Sequence, residues 1–415
     1  RTASKTPSPV RELAGMPLAN LRDWYRGWLF DDFLPFFDTF IIDREYGGFM
    51  CSADRDGTLL STTKSAGYLG RGAWVYSHLH RSIDRNPKRL ETARKSIEFL
   101  LRTRNANGRW APSFTREGTP QGEIPESVNS DLYIAEGFNE YARAAGEKKY
   151  RDMAREILFN SLKIYDAPGY LAGAGKGYLG QDAPPVRGVA LLDDWMLFLR
   201  LATQMLWEAP DPEIEAVAKR CRDSITLNFY NPEFGLLTEY VNQDLSRFGN
   251  DLDQAVTFGN IFQALWHILD EAARIRDREL FDLTAGRLRR HVEVAWDDVY
   301  GGLFGTLRNV DRNEWITVKI NYVQAEALIG LLCVIEQTGA DWAREWFGRI
   351  YTYMAEKFPL RQYGFPLWMV SGDRKASFVR KTNRAENYHH PRHLMLSIEC
   401  LERMIKKGGK AAGLG

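Results

Sequence analysis

The 415 residues carry 55 Lys and Arg against 54 Asp and Glu, a net charge of +1, which removes the electrostatic footprint of a nucleic-acid binder and leaves a small neutral or locally charged ligand as the expectation. No stretch reaches the roughly 18 consecutive apolar residues of a membrane span, and the basic start from Arg1 to Arg11 lacks the apolar core of a signal peptide. The 13% of aromatic residues, 12 Trp among them, suffice for a large core with an aromatic-lined cleft of the kind that stacks on sugar faces.

Amphipathic helical patterns follow one another over 17–40, 64–84, 87–104, 126–146, 148–164, 187–207, 211–228, 254–273, 277–295, 315–338, 340–357 and 391–407, twelve in six pairs. Between them recur short extended segments marked by Gly47, Gly108, Gly169, Gly235, Gly301 and Gly364, at steps of 61, 61, 66, 66 and 63 residues. A period that steady means one repeated supersecondary unit, and neither helix of a unit can bury its apolar face alone. Six such hairpins are expected to close into an all-α double ring, an (α/α)6 barrel with short strands in the connecting loops. It would form one domain over 15–408, with flexible ends at 1–14 and 409–415.

The helices beginning near 64, 126, 187, 254, 315 and 391 each follow a long loop and are assigned to the inner ring, their N-termini converging on a central cavity. Loops 172–187 and 242–253 are expected to wall it. An open α-solenoid that binds a protein partner is the competing architecture; its loops would be shorter and more uniform. The cysteines Cys51, Cys221, Cys333 and Cys400 are far apart, with no Cys-x-x-Cys or Cys/His ligand spacing, so free thiols, no metal and a cytoplasmic setting are expected.

Three of the seven histidines lie in Tyr388-His389-His390-Pro391-Arg392-His393, at the start of the last helix. An imidazole beside the positive end of a helix is held neutral and available as a base, and an anionic intermediate nearby would be stabilised. The plainer role for each is to be solvated or to cap a turn. Lys64, Tyr68 and Arg71 share a helix face at spacings of four and three, echoed in the fifth hairpin by Lys319, Tyr322 and Glu326. Charges on an inward face are costly unless they pair with each other or meet ligand, and both outcomes stand. Arg71 is the one read as functional, because a fixed guanidinium can grip a sugar oxygen or neutralise an enediolate. Asp131 with Glu126 and Ser127, the adjacent Asp193 and Asp194, of which at most one faces the cavity, and Glu386 with Asn387 complete the polar clusters.

These motifs together resemble the N-acylglucosamine 2-epimerase family: Gly-Gly-Phe49 with Asp54-Arg55-Asp56-Gly57, Gly70-Arg71 before Trp74, Ser130-Asp131 leading to Glu140-Tyr141-Ala142-Arg143, Gln324-Ala325-Glu326-Ala327, and Tyr388-His389-His390-Pro391-Arg392. The resemblance implies an (α/α)6 barrel without redox cofactor, acting on a mono- or disaccharide. It also implies that Arg71 touches the reacting oxygens and that His389 is the last catalytic histidine. Three positions depart from it. The Gly-His-x-x-Glu of the eighth helix is Gly259-Asn260-Ile261-Phe262-Gln263, a Met-His-Leu is Val189-Ala190-Leu191, and a tandem Trp is Asn321-Tyr322.

Asn260 cannot take a proton, whereas inversion at C2 calls for two acid/base groups or a turned intermediate. The expectation is therefore a carbohydrate isomerase or epimerase tilted toward aldose–ketose isomerisation by one base. His389 would be that base, Arg71 and Asn260 would steady the enediolate, and Tyr322 and Trp368 would shape the pocket. His390 and Glu386 would assist, with Lys319, Asp131, Asp194 and Glu326 also in the substrate-binding set. Two further classes stay open: a glycosidase or uronate lyase, using Asp131 with Asp194 or Lys319 with Arg71 and His389, and a sugar-binding protein without turnover. Partners are the sugar and, through the outer helices, a second copy in a homodimer.

Overall fold

A computed structural model describes residues 8–414 apart from 173–186, 367, 371 and 373–383, so most of the expected wall at 172–187 lies outside the described residues. All twelve expected helices form: α1 (18–41), α2 (66–84), α3 (Pro87–Thr103), α4 (Asn129–Ala145), α5 (Lys148–Tyr165), α6 (Leu192–Glu208), α7 (Pro212–Leu227), α8 (Phe258–Ile275), α9 (Arg278–Ala295), α10 (Asn321–Thr338), α11 (Asp341–Lys357) and α12 (His389–Lys406). Pro35 removes a backbone donor in the middle of α1, and π-helical turns at Trp28–Phe33 and Phe37–Ile41 flank it.

The even-numbered helices are the inner ring. Around it α2 packs on α4, α4 on α6, α6 on α8, α8 on α10 and α10 on α12. The ring closes, rather than staying an open solenoid, where Glu399 of α12 meets His78 of α2 at 2.8 Å and Asn387 donates to the Tyr68 carbonyl at 2.9 Å. The approach of α2 to α4 depends on glycine: a methyl added to Gly70 would stand 2.6 Å from the Ile134 backbone.

The two rings start their helices differently. Three of the outer helices use side-chain caps: Asn86 accepts from the Lys88 amide, Asp211 from those of Glu213 and Ile214, and Asp277 from that of Leu280. The six inner helices have no side-chain cap of this kind. Four of them instead give their first amide to a carbonyl in the loop of the next hairpin: Ala66 to Pro112, Leu192 to Glu239, Phe258 to Gly305 and Asn321 to Trp368.

The strand leading into each of these helices pairs antiparallel with that same loop, as Lys64–Ser65 does with Ser113–Phe114 and Val189–Leu191 with Tyr240–Asn242. Val256–Thr257 pairs with Thr306 and Leu307, and Lys319–Ile320 with Met369–Val370. The small sheets therefore bind the first hairpin to the second and the third through sixth in succession, and hold their inner N-termini at one mouth. They also delay the inner helices: α6 starts at Leu192 and α10 at Asn321, five and six residues later than expected, because strand pairing takes the preceding residues.

The chain ends, expected to be flexible, are tied down as far as they are described. Val10 and Leu13 are buried, the Val10 amide donates to the Gly409 carbonyl at 2.7 Å, and Ala412 donates to Glu336. Among the described residues no helix is long and apolar enough to cross a membrane.

Candidate active site

At the mouth where the inner N-termini meet lies a cavity of about 380 Å³ to which every inner helix contributes: Arg71 from α2, Asn129 and Tyr133 from α4, Asp193 from α6, Asn260 and Gln263 from α8, Tyr322 from α10 and His389 from α12. Trp368 and Arg384 from the last long loop cover one side. A larger cavity, about 500 Å³, opens at the far end among His78, Arg200, Asp270, Glu336 and Arg403; none of the sequence-predicted site residues lines it.

His389 is the first residue of α12, and its Nδ1 lies 2.7 Å from Glu326 Oε1. Burial alone would raise the Glu326 carboxyl, but Arg392 at 2.6 Å and the hydrogen bonds from His389 and Trp266 hold it down at about 2. A carboxylate only accepts, so Nδ1 carries the hydrogen and Nε2 keeps its lone pair for the cavity. Burial also lowers the His389 pKa, against the pull of Glu386 and Glu326, and the ring is neutral at pH 7.

Arg71 makes no ion pair with a described residue. Its guanidinium lies 3.9 Å over the Tyr133 ring, within reach of Tyr68 and Tyr388 at 5.5 Å, and its Nε is buried without a partner. A guanidinium held by aromatic faces and the Tyr133 hydroxyl, with no ion pair to a described residue, keeps donors for an oxygen ligand. Tyr322 stacks on Trp368 at 5.5 Å and 7°, with His389 4.9 Å from the Tyr322 ring. Gly259 makes room for this wall, since a methyl there would stand 2.4 Å from the Tyr322 ring.

The cavity's acid is Asp193, which accepts from Asn129 Nδ2 at 2.8 Å. It keeps part of its surface open to the cavity, yet its depth in the barrel pushes the carboxyl up to about 6 against the pull of Arg71 and Asn129. Behind it Glu239 accepts from Asn260 Nδ2 at 3.3 Å and from the Thr257 hydroxyl. Burial first, and Asp193 second, raise its carboxyl to about 8.

Of the sequence-predicted residues, the cavity thus gathers Arg71, Asn260, Tyr322, Trp368 and His389, and six others lie elsewhere. Lys319 sits on the strand before α10, where it donates to Asp297, and Lys64 does the same before α2 to Asp43 at 2.9 Å. Asp43 and Asp297 each open a glycine turn, accepting from the Gly47 and Gly301 amides, so the echo between hairpins one and five is a repeated structural clamp. Asp131 is held by Arg109 at 2.6 Å, and Asp194 accepts from the Tyr170 hydroxyl at 3.2 Å. These two carboxylates, proposed as a hydrolytic pair, are outside the cavity lining, and so is the lysine proposed for a lyase.

Glu326 stands behind His389 rather than in the cavity, and Glu386 accepts the Tyr388 and His389 amides at the start of α12. His390 packs against Trp28 and Phe33, with neither ring nitrogen hydrogen-bonded; burial holds it well below the ordinary histidine range. Sequence reasoning passed over Glu239, and it met Gln263, Asn129 and Arg392 only as parts of motifs, without giving them a place in the site. Arg392 was findable, because it lies one helical turn beyond Tyr388 and accordingly donates to the Tyr388 hydroxyl at 2.9 Å.

A closed double ring that brings at least one polar side chain from each inner helix to a single pocket, with one anchored imidazole and one guanidinium that makes no ion pair with a described residue, defines an (α/α)6 toroid with a polar pocket at its mouth. The chain belongs to the N-acylglucosamine 2-epimerase (GlcNAc 2-epimerase) family, whose sequence profile matches residues 47–392. It is 25% identical over 388 residues to the N-acylglucosamine 2-epimerase of Homo sapiens, covering 88% of this chain and 86% of that protein. In fold it is similar to cellobiose 2-epimerase from Bacillus thermoamylovorans B4167, with a TM-score of 0.78, 16% identity and coverage of 92% of this chain and 99% of that one. It is likewise similar to a D-mannose isomerase, at 0.72 and 13%, covering 94% of this chain and 97% of that one.

Proposed function

We propose that the protein is a carbohydrate epimerase or isomerase that moves a proton at the carbon next to the sugar carbonyl. Family membership supports the class, and the observation that carries the chemistry is the His389–Glu326 pair beside the unpaired Arg71. His389 Nε2 takes the proton from C2 of the open-chain aldose, the C2–H electron pair becomes the enediolate double bond, and the carbonyl oxygen takes up the charge. Arg71 and the Asn260 amide hold the oxygens where that charge develops. Glu326 stabilises the imidazolium while the proton is away from carbon.

The substrate is proposed to be a mono- or disaccharide. A cavity of about 380 Å³ falls within the roughly 300–1,000 Å³ of small-molecule sites, and the near-parallel, stacked Tyr322 and Trp368 rings give it an aromatic wall for a pyranose or its open chain. Four unpaired cysteines agree with the cytoplasmic setting expected from the sequence. The test is incubation of the protein with a panel of aldoses, N-acylated hexosamines and β-linked disaccharides in deuterated water, followed by proton NMR. Loss of the C2 proton signal, abolished in His389→Gln, is expected; no exchange with any sugar would reject the reading.

A further inference from the structure

The family pattern puts a second histidine where this chain has Asn260, and a lone imidazole can return a proton only to the face from which it came. The structure offers another acid. In the ring order α2, α4, α6, α8, α10, α12, the helix three places from α12 is α6, so the two stand on opposite sides of the barrel. His389 is the first residue of α12 and Asp193 the second of α6, which sets them at the same level. Both line the one cavity. A sugar carbon held between them by Arg71 presents one face to each.

We propose that Asp193 is the second acid/base group of this site, serving the face of C2 turned away from His389, so that the protein inverts C2 and is not confined to aldose–ketose isomerisation. This rests on the proposed proton-transfer function. In one direction His389 Nε2 removes the C2 proton, and the Asp193 carboxylic acid delivers its own proton to the opposite face of the enediolate. The C2–H bond broken and the C2–H bond formed balance, leaving imidazolium and carboxylate. In the other direction the roles exchange, and solvent resets the two groups between turnovers.

The surroundings suit this duty. Asp193 makes no ion pair with a described residue, whereas its neighbour Asp194 is turned away to Tyr170. Burial pushes the Asp193 carboxyl up to about 6, which brings it close enough to neutral pH to exchange a proton in both directions. Asn129 donates to Oδ2, which leaves the other carboxyl oxygen to carry the proton. Asn260 then acts as a hydrogen-bonding amide tied to Glu239, and no proton transfer is asked of it.

The experiment follows the hydrogen at C2. Wild-type protein in deuterated water, with the sugar that exchanges fastest, is expected to give a C2 epimer deuterated at C2 from the first turnovers while unreacted sugar keeps its protium. Asp193→Asn, which preserves size and the Asn129 contact, is expected to lose epimer formation by at least about 100-fold. It should still wash deuterium into C2 of the starting sugar, or form ketose, through His389. Asp193→Glu, which restores a carboxyl, should recover part of the epimer and guards against a folding defect in the amide variant.

Epimer formation by Asp193→Asn at the wild-type rate would overturn the proposal. So would a wild-type protein that only carries the substrate's own hydrogen from C2 to C1. A wild-type protein that exchanges no sugar hydrogen at all overturns the underlying function, and with it this assignment.

Discussion

His389 Nδ1 and Glu326 Oε1 are 2.7 Å apart, and the same carboxylate oxygen also accepts from Arg392 at 2.6 Å. One buried carboxylate thus orients the imidazole while a fixed guanidinium keeps the carboxylate ionised. Glu326→Gln removes the charge but keeps an oxygen for Nδ1–H. Turnover is expected to fall roughly 10²–10⁴-fold, as when a buried carboxylate behind a catalytic imidazole becomes an amide. Unpairing buried Arg392 should also cost about 3 kcal/mol or more, measured by urea denaturation. A turnover number equal to wild type would refute the role.

Arg71 behaves in the opposite way. Because its guanidinium pairs with no carboxylate among the described residues and one nitrogen is orphaned, Arg71→Met should leave the melting temperature unchanged or raise it. It should lower kcat/KM by about 10²–10³-fold, the scale for removing a donor from a developing oxyanion. A variant that melts well below wild type would mean that the arginine is there for the fold.

Gly259→Ala tests the aromatic wall. Alanine is favoured in a helix by about 1 kcal/mol, yet here its methyl would strike the Tyr322 ring at 2.4 Å. The expected outcome is a several-fold rise in KM. A second substitution, Tyr322→Leu, should relieve the clash in the melting temperature without restoring KM. An unchanged KM in the single variant would remove Tyr322 from the sugar pocket.

His78, at the far end of the barrel, ties stability to pH. Burial lowers its pKa, but Glu399 at 2.8 Å and Glu140 at 2.9 Å raise it on balance to about 9; the Arg81 guanidinium, 3.3 Å away, and the Trp74 ring stacked at 4.8 Å complete its surroundings. A folded value above the unfolded one means that the stabilisation is fully present below about 6.5 and is lost as pH rises through 9. Wild-type protein should lose no more than about 3 kcal/mol across that window beyond what His78→Gln loses. Parallel pH–stability curves for the two proteins would disprove the coupling.

The sequence by itself determined the architecture. Helical periodicity named all twelve helices, and glycine turns at a period near 63 residues marked six like units, because a turn needing positive φ and a face needing burial both leave their mark on local residue choice. It also pointed to His389, Arg71, Asn260, Tyr322 and Trp368, which line one cavity, since residues in the first turns of inner helices or in the loops above them reach the mouth of such a ring. Tertiary structure alone decided which charges are free. Lys319 finds Asp297 22 residues away, Asp131 finds Arg109 22 residues away and Glu326 finds His389 63 residues away. The choice between Asp193 and Asp194 was equally hidden: neighbours on a helix differ by about 100° in direction, and where strand pairing ends and α6 begins sets which of the two looks inward.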